Sequence, residues 1–141
     1  MDIGKDLRTY LLTQSAVTDL VGASGSRIYQ DHLPENATLP AATFQVLSTD
    51  PAHDLPDGDA SASFSLIQVV SYDDTASDAQ TLANAIRRGA SLQGYRGLMD
   101  STWVHAVICS DERRESDQPT DGSDVWRYYV IQDYEIAHVD T

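Results

Sequence analysis

Cationic residues are scarce in this chain. Nine Lys plus Arg face twenty-two Asp plus Glu across 141 residues, a formal charge of −13, and Lys5 is the lone lysine. Phosphate binding draws on clustered cations, so this balance speaks against direct DNA or RNA binding and against an anionic membrane surface. Long apolar runs are missing too: none approaches the ~20 residues of a membrane span. The opening Met1-Asp2-Ile3-Gly4-Lys5-Asp6 has neither the basic start nor the apolar core of a secretion signal. Cys109, the one cysteine, has no partner for an internal disulfide, and a soluble, reducing compartment is expected.

Patterns that carry chemistry are equally thin. His32, His53, His105 and His138 are scattered, with no His-x-x-x-His and no Cys-x-x-Cys. The segment Asp54-Leu-Pro-Asp57-Gly58-Asp59 superficially resembles a calcium loop. It lacks the Asp-x-Asp-x-Asp-Gly order and the closing glutamate, and reads as an acidic turn. Gly22-Ala-Ser-Gly25-Ser-Arg27 has no P-loop lysine and does not lead from a strand into a helix. His105 and Cys109 sit on one predicted strand, about 13 Å apart along it, too far for a nucleophile and its base. Cys109 reads instead as a small buried hydrophobe. Adjacent carboxylates such as Asp73-Asp74 and Asp111-Glu112 point to opposite faces of an extended chain. No enzyme, metal or cofactor is expected.

What the chain does have is clear periodicity. Ile3, Leu7, Tyr10 and Leu11 predict a helix over 3–13 with Asp2 as N-cap. A short helix follows, capped by Ser15 and closed by Gly22. A brief extended piece lies around 27–29, then a connector at 31–40. Strands are predicted at 41–48, 61–72, 103–110 and 125–138. Trp103, His105, Val107 and Cys109 are placed on one face of the third of these. Apolar residues on both faces of 61–72 suggest a central place in a sheet. Ala79, Leu82, Ala83, Ile86 and Ala90 mark the clearest helix, 75 to about 88, with Thr75 and Asp78 imitating a capping box. Two hairpins flanking this helix predict an α+β fold: a mostly antiparallel sheet of about four to five strands, with two main helices packed on one face. The length fits one domain, 1–141.

Two polar stretches stand apart from this framework. Residues 49–60 carry Asp50, Asp54, Asp57 and Asp59, and residues 110–124 carry Asp111, Glu112, Arg113, Arg114 and Glu115. Both read as loops long enough to be either solvated tips or partner-binding arms. Arg87 and Arg88 either stabilise a helix end or pair with carboxylates of another subunit.

Several phrases, taken in order, carry a resemblance. They are "AVTDLVG" (16–22), "RIYQDHLPENATLPAATFQVLS" (27–48), "SFSLIQVVSYDD" (63–74), "ASDAQTLANAIRRGA" (76–90), "LQGYRG" (92–97), "DERRE" (111–115) and "VWRYYVIQDYEI" (125–136). The chain resembles the tail-completion, or tail-terminator, proteins of long-tailed bacteriophages and phage-derived gene transfer particles. The resemblance implies a non-enzymatic virion protein assembled in the host cytoplasm. It implies a ring, commonly of six copies, at the head-proximal end of the tail tube. The ring ends tube polymerisation and presents a surface to the head-completion or connector (stopper) protein. Its expected partners are therefore itself, the tail tube protein and the connector, with DNA passing through the lumen unread. Interface residues are expected among Asp111, Glu112, Arg113, Arg114, Glu115, Arg87 and Arg88. Asp54, Asp57 and Asp59 are expected to face the channel, where carboxylates repel phosphate. The other readings are a monomeric adaptor or assembly chaperone acting through the 110–124 arm, and a small acidic hydrolase whose acid–base site the sequence does not supply.

Overall fold

Helix α1 (Ile3–Leu11) begins where the Asp2 carboxylate accepts a hydrogen bond from the Lys5 amide at 3.2 Å, filling one of the orphan donors of the first turn. Its Ile3, Leu7 and Leu11 are buried, the heptad-like stripe that the sequence announces. Helix α2 (Ser15–Val21) buries Val17 and Val21. Gln14 rather than Ser15 occupies its cap position and makes no side-chain bond there, while Gly22 leaves the helix at φ +86°. The computed structural model describes residues 2–22, 27–50, 62–117 and 126–139. Asp54, Asp57 and Asp59 lie outside these.

The sheet has six strands: β1 (Ile28–Gln30), β2 (Ala41–Asp50), β3 (Ala62–Asp73), β4 (Gly97–Met99), β5 (Thr102–Asp117) and β6 (Arg127–Val139). They lie in the order β1-β2-β3-β6-β5-β4. The two expected hairpins, β2–β3 and β5–β6, are present and join through antiparallel β3–β6 pairing. Six strands replace the expected four to five because two three-residue strands close the edges. One is β1, parallel to β2, and the other is β4, antiparallel to β5.

Helix α3 (Ala76–Asn84) follows β3 and packs on β3 and β6. The Thr75 hydroxyl accepts from the Asp78 amide at 3.1 Å, as the capping pattern requires. The predicted last turn is a π turn, Ala85–Gly89, which brings the chain hard against α2. A Cβ on Gly89 would lie 2.8 Å from the Cβ of Ala16, so only glycine fits that approach. All three helices pack toward one face of the sheet. There Leu7, Val17, Leu82 and Ile86 meet Ile67, Val69, Val107, Tyr134 and Ile136 in a single buried cluster.

Two of the long strands, β2 and β5, carry extra residues. The β2–β3 register shifts between Val46 and Ser48, leaving Leu47 unpaired. The β5–β6 register shifts between Val104 and Ala106 and again between Cys109 and Asp111, leaving His105 and Ser110 unpaired. Such bulges reverse the odd–even alternation downstream. Hence Trp103 does not share the face of Val107: Thr102, Val104 and Val107 are buried, and Trp103 is exposed. Cys109 is half-buried against the main core. Burial pushes its thiol up from the ordinary value, partly offset by Arg87, so its nucleophilic thiolate is suppressed.

Of the stretch expected as a loop at 110–124, residues 110–117 are strand, and 118–124 lie outside the described residues. Strand β5 continues to Asp117, paired with Arg127 of β6. The β2–β3 hairpin turns at the end of the sheet where Ala62 faces Val139, and the β5–β6 hairpin turns beyond the end where Asp73 faces Tyr128. With about 3.3 Å per residue, the two ends of β6 are about 40 Å apart.

Candidate functional site

The five charged residues Asp111 to Glu115 alternate between two environments, because they form a strand and not an arm. Glu112 and Arg114 face the helices. Glu112 accepts from Gln132 Nε2 at 2.7 Å and lies 3.8 Å from Arg87 Nε. Arg114 Nε donates to Gln80 Oε1 of α3 at 2.8 Å. At 3.8 Å the Arg87–Glu112 pair is an ion pair without a hydrogen bond, and Arg87 Nε is buried with no hydrogen-bond partner. Gln132 is itself fully buried, donating to the Ala83 carbonyl at 3.2 Å and accepting from Tyr134 Oη at 2.9 Å. The polar side of the hairpin is thus tied to α3 and the π turn by one connected network.

Asp111, Arg113 and Glu115 occupy the opposite, helix-free face. Arg113 Nη1 lies 2.5 Å from Asp111 and 3.1 Å from Asp133. Tyr129 Oη is 3.1 Å from both Glu115 and Asp117. Burial, then hydrogen bonding to Asp117 and Glu115, pushes that phenol up to about 12. Of the residues expected to form an interface, Arg87, Glu112, Arg113, Arg114, Asp111 and Glu115 all have partners within the chain. Arg88, exposed at the end of the π turn, has no ion pair among the described residues.

A feature that the sequence reading passes over lies further down the same open face. Registers place Phe64 beside Ala137 and Ala137 beside Ala106, with Leu66, Glu135 and Ile108 forming the next row. These residues, with Ser48, Thr49, Asp50 and Ser65, line a cleft of about 650 Å³. Phe64 is 59% exposed and Ile108 56%. Leu98 and Trp103, paired across β4 and β5, are exposed beside it. The signal was available: β3 is apolar on both faces, which fits its central place in the sheet, but only the odd-numbered face is covered by helices. Apolar side chains gathered in one exposed cleft are suited to contact with another molecule.

Among the described residues, no group of three or more His, Cys, Asp or Glu is arranged to hold a metal ion, and no helix is long and apolar enough to cross a membrane. The family model of tail completion protein gp17 matches residues 5–126. The chain belongs to that family. Its place is therefore among the structural tail proteins of virions, and the fold agrees. A chain in the virion of a native gene transfer agent particle superposes with a TM-score of 0.59 at 14% identity, over 95% of this chain and 92% of that one. No curated protein sequence matches the chain. In this tail completion protein, the covered face of the sheet holds the core, and the open face carries the cleft.

Proposed function

We propose that the protein forms a ring, of six copies, at the head-proximal end of the tail tube, where it ends tube polymerisation and joins the tail to the head connector. The observation that carries this reading is the family match across residues 5–126. The likeness to a chain of a gene transfer agent virion agrees with it. So does a sheet whose hairpins turn at opposite ends, about 40 Å apart by strand rise, one available to the tube and the other to the connector. Within such a ring the excess of carboxylates keeps passing DNA from adhering to the wall.

Light scattering over a wide concentration series, with negative-stain imaging of the same samples, tests the proposal. The expected species is a ring of about 92 kDa, six copies of the 15.4 kDa chain, formed alone or on added tail tubes. A chain that stays monomeric in the presence of tubes and leaves tube length unchanged would overturn it in favour of an adaptor.

A further inference from the structure

The apolar cleft of the open face needs an occupant, and its chemistry restricts what that is. Its floor is Phe64, Leu66, Ala106, Ile108 and Ala137, and its rim carries the carboxylates of Asp50 and Glu135. Neither carboxylate has an ion pair or side-chain hydrogen bond among the described residues. A fitting ligand is therefore a large apolar group with a cation beside it. The chain carries such a group itself. Of its two exposed tryptophans, only Trp126 (41% exposed) adjoins an arginine, Arg127. Arg127 has no ion pair among the described residues either.

Trp126 cannot fill the cleft of its own chain. It precedes β6 at one end of the sheet, whereas Ala137 lies near the other, roughly 35 Å away along the strand. Knob and hole can meet only between copies. Because they are different surfaces, each copy that receives a tryptophan still offers one, and a closed ring is the arrangement that leaves none unused.

We infer that Trp126 and Arg127 of one copy dock into the cleft of the next, the indole on Phe64, Leu66 and Ile108 and the guanidinium against Glu135 and Asp50. The inference rests on the ring reading above and names its contact. Tyrosine, tryptophan and arginine anchors in apolar pockets are the usual source of binding energy at interfaces.

The test uses assembled particles. A chain carrying Cys109→Ser, Arg127→Cys and Glu135→Cys is assembled into tails and exposed to a mild oxidant. The two new thiols are roughly 26 Å apart along β6 within one chain, so a disulfide between them must join copies. The expected result is a ladder of covalent multimers that disappears when Trp126→Ala is added. Rings that assemble with the chain remaining monomeric under oxidation would overturn the contact while leaving the ring reading intact. A disulfide to the tube or connector protein would overturn it by naming another occupant. Absence of any ring from the unsubstituted chain would overturn both. Charge exchange offers a second route should the cysteine chain fail to fold. Arg127→Glu and Glu135→Arg should each lower the yield of complete tails about tenfold, and the pair together should restore it. Two single variants that assemble normally would also overturn the contact.

Discussion

The two faces of the sheet use the same strands for opposite ends. Under the helices, Ile67, Val69, Val107, Tyr134 and Ile136 are at most 1% exposed; Gln132 and His138 among them are hydrogen-bonded, while the buried hydroxyls of Ser63 and Ser71 have no hydrogen-bond partner among the described residues. One residue over on each strand, Phe64 and Ile108 are more than half exposed. Around the cleft the open face is apolar too, so hydrophobicity alone does not separate the two there. What separates them is coverage: the helices of the chain itself bury the first face, and none of them lies on the second. The difference teaches that stability and assembly can be tuned almost independently here.

The sharpest break between the faces should appear in unfolding. Ile86→Ala, beneath the helices, removes a fully buried side chain and should cost about 2–5 kcal/mol in denaturant titration, depending on how far the site collapses. A loss below about 1 kcal/mol would mean that the covered face does not carry the fold.

A smaller effect distinguishes the polar end of the open face. The raised phenol of Tyr129, near 12 against an ordinary 10, means that the folded state holds its proton more tightly than the unfolded chain. Its contribution is complete below pH 10 and is lost as pH rises through about 12. Tyr129→Phe should make urea midpoints decline less steeply across that window. Tyr134, whose phenol burial also raises, keeps some slope in both proteins. Identical slopes would show that Glu115 and Asp117 do not hold the phenol.

The smallest effect on stability should come from the cleft itself. Phe64→Thr replaces one residue suited to a strand with another and should change the unfolding free energy of the isolated chain by no more than about 0.5 kcal/mol. Its consequence should be seen in tail yield instead. A large loss of stability in the isolated chain would blur the contrast between the faces.

Features set by neighbours in sequence were legible from the sequence: the stripe of α1, the caps at Asp2 and Thr75, the exit at Gly22, and both hairpins. Features set across the sheet were not. Strands β1 and β4 have three residues each, too few for periodicity to register. The run Asp111–Asp117 looks like a loop because it is polar at every position. It is a strand because Glu112 and Arg114 meet Gln132, Arg87 and Gln80 on one side while Arg113 meets Asp111 and Asp133 on the other. The cleft went unread because an apolar face and a covered face look alike in one dimension. The partners of the 111–115 side chains are internal to the chain.

Ser110 is the spacer in β5. Its neighbours Cys109 and Asp111 pair with Tyr134 and Asp133, which are adjacent in β6, so Ser110 consumes length without occupying a rung. Losing it would leave every other side chain of the hairpin on its present side. Gaining or losing one residue between Asp111 and Asp117 would instead turn the remainder of that strand over, sending its charges from water to helix and from helix to water. His105, unpaired between Val104 and Ala106, is a second spacer of the same kind, so length changes during descent have two addresses in this strand that spare the rest of the hairpin.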